Sequence, residues 1–201
     1  MCATKRLLVV TSLAILLELV TRLAICQPID YTPITPEQRV NWIVIGTIGP
    51  KSLLAIGPLA AGWQTAWNQP EEWGRSWSGF GKRYLQREAD VAISNTLEAG
   101  VGAIWNEEPR YVRLGRGGIG ARVKWAIKTA FVTQRADGKL HAAWGRYVGN
   151  TVNNVIENAW LPPSSRTAGN TIYRSAAGFA TRIGGNAWEE FWPDVQRLLH
   201  R

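Results

Sequence analysis

Trp144-Gly145-Arg146-Tyr147-Val148-Gly149-Asn150-Thr151-Val152-Asn153-Asn154-Val155-Ile156 is the stretch that decides the fold class. Trp144, Val148, Val152 and Val155, continued by Ala159, recur three and four residues apart, the period of an amphipathic helix rather than a strand. Pro162-Pro163 ends it. On the N-terminal side, Val123, Ala126, Ile127, Ala130 and Phe131 line one side of a helix that Asp137-Gly138 terminates. On the C-terminal side, Ile172, Ala176, Phe179, Ile183 and Ala187 mark another. Helical spacing with many small residues also runs from about Phe80 to Trp105. No convincing alternating run suggests a strand. The expected fold is all-α: a compact bundle of about five to seven helices without substantial sheet, its apolar faces turned inward.

Small residues recur four apart on these helices: Ala99 with Ala103, Ala126 with Ala130, Gly145 with Gly149, and Ala176 with Ala180 and Gly184. Such rows let helix backbones approach closely, either in a water-soluble bundle or in a membrane. Thr35-Pro36-Glu37-Gln38 reads as a helix start, with Thr as cap, Pro in the first turn and Gln three residues after the cap. From Val40 to Trp67 the chain is at its most apolar, but Pro50 and Pro58 interrupt it. Since an interior proline costs about 3 kcal/mol, two or three short buried helices are expected there, with a re-entrant membrane hairpin as the other reading.

The first 26 residues read as an export signal: Lys5 and Arg6, an apolar run from Leu7 to Leu17, then Ala24-Ile25-Cys26 before Gln27. The run is too short for a membrane span, which needs about 20 apolar residues. Ile25 is bulky where a lipidation signal wants a small residue, so cleavage after Cys26 is preferred over a lipidated Cys26. Cys2 and Cys26, the two cysteines, then leave with the signal, which excludes disulfides, thiolate metal sites and cysteine nucleophiles. Residues 27–35 form a short leader and residues 36–201 a single helical domain. The segment 27–201 keeps +6 of the formal +8 charge, suited to anionic lipid or an acidic envelope glycan. Nucleic acid is not expected as a partner, because export separates the two and no long basic run exists. A homo-oligomer is compatible with the composition.

The eleven tryptophans are the main chemical signal. Three acidic phrases adjoin them: Pro70-Glu71-Glu72-Trp73-Gly74, Trp105-Asn106-Glu107-Glu108-Pro109 and Trp188-Glu189-Glu190-Phe191-Trp192-Pro193-Asp194. Together with Gly49-Pro50-Lys51-Ser52-Leu53, Pro109-Arg110-Tyr111-Val112-Arg113, Thr129-Ala130-Phe131-Val132-Thr133 and Asn158-Ala159-Trp160-Leu161-Pro162, their order resembles a family of uncharacterised exported proteins of Gram-negative bacteria over about residues 36–198. The resemblance implies a signal peptide and an envelope location. It brings no activity, cofactor or catalytic residue.

Carboxylates beside tryptophans could form an acid/base pair with one pKa raised by an apolar wall, as in sugar-cleaving clefts. Glu72, Glu108, Glu190 and Asp194 are the candidates for such chemistry. Neighbours on a helix point about 100° apart, so a working pair must come from different phrases. Arg110 and Arg113 lie near enough to serve as ion-pair partners, and Pro193-Asp194 looks like a helix break. Leu114-Gly115-Arg116-Gly117-Gly118-Ile119-Gly120 has the glycine spacing of a phosphate loop but lacks a preceding strand and a following Gly-Lys-Ser/Thr, so it reads as a flexible connector. His141 and His200 support neither a metal site nor a triad, and no metal or cofactor is expected. Trp63, Trp67 and Trp77 are the candidate ligand or membrane interface; Trp144 and Trp188 are expected in the core. These residues fit an exported envelope structural or binding protein, held on a membrane or periplasmic, with a carboxylate-dependent hydrolase of an envelope glycan or peptidoglycan as the alternative.

Overall fold

Thr35 starts the first helix: its Oγ1 accepts from the Gln38 N–H at 3.2 Å while the Gln38 Oε1 accepts from the Thr35 N–H at 3.2 Å. This reciprocal cap opens α1, Pro36–Ile48. The computed structural model describes residues 31–200; the signal segment, both cysteines and the proposed cleavage site lie outside them. At Gly49 the backbone turns extended, and a π-turn (Lys51–Ile56) leads directly into α2, Gly57–Ala66. Ser76 caps the long α3, Trp77–Ile104, by accepting from the Gly79 N–H at 3.2 Å. After the glycine loop come α4 (Ile119–Phe131), a hairpin of β1 (Val132–Gln134) and β2 (Leu140–Ala142), and α5 (Trp144–Ile156). Thr167 caps α6, Ala168–Leu199.

The fold is all-α and compact, with one two-stranded sheet among the described residues. The strands pair antiparallel with Thr133 opposite His141, around a turn at Gly138 where φ is +73°. Asp137-Gly138 therefore turns a hairpin, and the helix before it stops six residues earlier than expected. Three-residue strands are too short to show alternation. Pro193 does not break a helix either: α6 runs through it to Leu199.

α3 is the central element. The α1–α2 segment packs antiparallel along one side of it and α5 along another, while α6 lies on α4 and α5. The glycine row on α5 sets the closest crossing. A Cβ at Gly145 would lie 2.5 Å from the Glu98 carbonyl oxygen and 2.8 Å from the Gly102 Cα; one at Gly149 would lie 2.9 Å from the Ser94 carbonyl oxygen. Ala99, Ala126 and Ala130 are likewise buried. The row Ala176, Ala180 and Gly184 is exposed, with open space beside Gly184.

Several apolar residues expected to face inward point outward instead, although Ala126 and Ala130 of the α4 stripe are buried. On α5, Gly145, Arg146, Gly149, Asn153 and Asn154 are buried, while Trp144, Val152 and Val155 face outward. Val123 and Ile127 on α4, and Ile172 and Ala176 on α6, are also exposed. The short helices around 40–67 form as expected but are not buried: only 17% of their most apolar stretch is inside the molecule. Helical periodicity locates a stripe but not the side it faces; here glycines and paired polar groups let α3 and α5 approach more closely than valines would.

Candidate functional site

The interior is a column of hydrogen-bonded polar side chains running the length of α3. At the start of α3, buried Arg83 donates to three carbonyl oxygens of one loop: Nε to Gln69 at 2.8 Å, Nη2 to Pro70 at 2.8 Å and Nη1 to Gly74 at 2.6 Å. Its guanidinium also lies 5.9 Å from the Trp73 ring centre. Two turns on, Asp90 and Glu157 meet, with Gln86 Nε2 donating to Glu157 at 2.7 Å, Asn153 donating to Asp90 and Arg174 3.4 Å from Glu157. Further along, Glu98 accepts from Arg146 Nε at 3.0 Å and from Arg182, joining α3, α5 and α6 in one ion-pair triad.

The acidic phrase after α3 closes this end. Glu107 Oε2 accepts from the Gly145 N–H at 2.8 Å and Oε1 from the Trp144 N–H at 3.3 Å, so it caps the start of α5 from a distant part of the chain. Glu108 takes a bidentate pair from Arg110, Nε at 2.7 Å and Nη2 at 2.8 Å. Arg110 also reaches the Thr32 carbonyl at 3.1 Å, tying the leader to this end. Tyr31 lies beside it, its phenol pushed up to about 12 by burial and then by the Glu108 charge. Between Glu98, Glu107, Glu108, Thr133 and Arg146 is a void of about 10 Å³. It has room for one water and not for a sugar ring.

Glu190 forms the second knot. The fully buried carboxylate accepts from Tyr111 Oη at 2.8 Å, from the N–H groups of Leu114 and Gly115 at 3.0 Å each, and from Arg122 Nε at 2.8 Å. Burial alone would raise its pKa; Arg122, Tyr111 and the two backbone donors outweigh it, and the net shift is down. Tyr111 is shifted upward, by burial first and then by its bond to Glu190. The glycine loop is thus an anion cradle filled by a carboxylate of its own chain, which is why Gly115, at φ +64°, matters there. The partner of Glu190, 75 residues away in sequence, carries no local signal.

The four candidate carboxylates occupy separate places. Glu72 is exposed and accepts from Ser164 Oγ at 2.9 Å at the far end of the bundle. Glu108 and Glu190 each sit inside their own set of donors. Asp194 shares Arg122 with Glu190, at 2.6 Å, and lies 3.0 Å from Arg197. Of the two candidate ion-pair arginines, Arg110 pairs with Glu108, whereas Arg113 donates to the Glu190 carbonyl oxygen at 3.2 Å; the carboxylate belongs to Arg122. His141 lies 3.4 Å from Asp137 on the exposed hairpin, and among the described residues no three His, Cys, Asp or Glu side chains are placed to hold a metal ion together.

The tryptophans are mostly at the surface. Only Trp125 is buried, its Nε1 donating to the Val112 carbonyl at 2.9 Å. Trp63, Trp67 and Trp77 are 66%, 61% and 88% exposed, and Trp63 and Trp67 lie against each other with ring centres 5.7 Å apart. Trp144 and Trp188, expected in the core, are 50% and 53% exposed, because the core positions beside them are taken by Gly145, Arg146 and Asn186.

No family model, curated protein or solved structure matches the chain.

Proposed function

We propose that the protein is an exported component of the bacterial cell envelope, structural or binding in role, held to a membrane by the outer face of α1 and α2. One observation carries this: from Val40 to Pro70 the only charged residue is Lys51, and most of the large apolar side chains of that segment point away from the bundle. Val44, Ile45, Ile48, Leu54, Leu59, Trp63 and Trp67 face outward. The polar side chains of the same helices turn inward: Arg39 donates to the Glu107 carbonyl at 2.8 Å, Thr47 Oγ1 accepts from Asn95, and Ser52 Oγ accepts from Arg87 at 2.6 Å. A water-soluble surface helix has the opposite arrangement, and an apolar patch of this extent on a monomer marks an interaction surface. Among the buried carboxylates, Glu98, Glu107, Glu108 and Glu190 act as fasteners between elements, each engaged by arginine or backbone donors.

The test is fractionation of the tagged full-length protein in a Gram-negative host, with high-salt and alkaline washes of the membranes. Retention through both washes and release by mild detergent is expected. Recovery in the soluble periplasm would refute membrane attachment, and recovery in the cytoplasm would refute export.

A further inference from the structure

Attachment through α1 and α2 involves only one face of the molecule; the rest of its surface is layered in the same sense. The bundle has two ends. At the first, the end of α2, the start of α3, the end of α5 and the start of α6 meet, where Arg83 holds the 69–74 loop and Glu72 accepts from Ser164. At the second, the start of α1, the end of α3, the start of α5, α4 and the later part of α6 meet, through Arg39 to Glu107, Glu107 to Gly145 and Asn186 to Ala126.

Exposed charges collect at these ends. Glu71, Glu72, Arg75, Lys82 and Arg166 lie at the first; Glu37, Arg113, Lys124, Asp137, Lys139 and Arg197 lie at the second. Between them the sides are nearly free of charge. From Trp144 to Leu161 the only charged residues are Arg146 and Glu157, both buried, and from Ala168 to Trp188 they are Arg174 and Arg182, both bonded inward. The outward positions in this belt carry Val44, Ile45, Ile48, Leu54, Val152 and Val155. Lys51 is an exception, and the exposed Glu189, one residue beyond Trp188, lies within electrostatic reach of it; a lysine stem can lie along apolar surface while carrying its ammonium toward water.

The exposed tryptophans sort by level as well. Trp63, Trp67, Trp77 and Trp160 ring the first end; Trp105, Trp144 and Trp188 ring the second; none lies between. Two aromatic girdles around an aliphatic belt is the pattern that a bilayer's two headgroup layers impose, where an indole can bury its ring and still hydrogen-bond. Helix length agrees. The 28 residues of α3 extend about 42 Å at ~1.5 Å per residue, enough for a hydrocarbon core of about 30 Å. By length and composition alone, Pro36–Ala66 is the one segment among the described residues that would pass as a crossing segment. An average over α3 or α6 counts arginines and glutamates that face the interior and never meet lipid.

We propose that the whole bundle crosses a bilayer, with α1–α2, α3, α5 and the Ala168–Trp188 part of α6 in the hydrocarbon and acyl chains as the occupant of the apolar belt. Resting as it does on membrane attachment, this extends it from one face to the full girth. The ion-pair column then has a physical reason: unpaired polar groups are costly in lipid, so most of the column is paired within the protein, Asn153 Oδ1 and Glu88 Oε2 being the atoms left without a partner.

Cysteines introduced one at a time into the full-length protein test it: Val44→Cys and Val152→Cys in the belt, Lys139→Cys and Arg166→Cys at the two ends. Sealed membrane vesicles are treated with a membrane-impermeant maleimide before and after rupture, and each site is read by peptide mass. The expected result is that Val44→Cys and Val152→Cys stay unlabelled until detergent is added, while Lys139→Cys and Arg166→Cys label from opposite sides. If Val152→Cys labels freely while Val44→Cys is protected, the domain rests on one face; the crossing is overturned and the attachment stands. If both belt sites label, both readings fall. Labelling of Lys139→Cys and Arg166→Cys from the same side, or a disulfide dimer at Val152→Cys, which would put a second copy where lipid is placed, also overturns the crossing.

Discussion

Replacing Glu190 by Gln tests whether this carboxylate holds the second end of the bundle together. The side chain is fully buried and takes four donors: Tyr111 Oη, the N–H groups of Leu114 and Gly115, and Arg122 Nε. A glutamine keeps the shape but offers one acceptor oxygen and one NH₂. With the NH₂ toward Tyr111, whose hydroxyl can turn to accept, the Leu114 N–H loses its partner. An unsatisfied buried donor costs about 1–3 kcal/mol. Arg122 loses a charged partner but keeps Asp194 at 2.6 Å, so the full penalty of about 3–5 kcal/mol for an orphaned buried charge does not apply. The expected loss is about 3 kcal/mol. Denaturant unfolding of the purified protein in mild detergent would measure it, with amide exchange reporting loosening at Leu114 and Gly115. In a double-mutant cycle Tyr111→Phe should couple to Glu190→Gln, since the two touch. A loss under ~1 kcal/mol with unchanged exchange in the loop would refute the role assigned to Glu190.

Two further outcomes follow from the packing and the phenols. Gly145→Ala puts a Cβ 2.5 Å from the Glu98 carbonyl and 2.8 Å from the Gly102 backbone, so thermal unfolding should show a loss of about 2–3 kcal/mol; Gly185→Ala, with nothing within 4 Å, should be neutral or stabilising by up to ~1 kcal/mol. The pKa values of Tyr31 (about 12) and Tyr111 are raised in the folded protein, so the stability they contribute is complete below about 10 and is lost as pH rises through the folded values. Ultraviolet titration should find Tyr31 and Tyr111 among the phenols that ionise only above the range of free tyrosine, and Tyr111→Phe should reduce that group by one.

How much was legible in the sequence varies by level. Helices were legible because their period is local: the spacing of Val123 to Phe131, of Trp144 to Ala159 and of Ile172 to Ala187 needs no knowledge of neighbours, and the Thr35–Gln38 cap lies within four residues. The close approach of Gly145 and Gly149 to α3 could also be anticipated from their spacing. The three-residue hairpin strands and the continuation of α6 through Pro193 could not, because both are held by tertiary contacts against local preference.

Which side of each helix faces inward was a matter for the tertiary structure alone. Trp144, Val152 and Val155 make the same stripe whether the interior is apolar or polar. Only the meeting of Glu98 with Arg146 and Arg182, of Glu107 with the start of α5, and of Glu190 with a loop some 75 residues earlier turned that stripe outward. Periodicity is written in residues three and four apart. The pairing that satisfies a buried charge is written across 38 to 84 residues, and no local pattern records it.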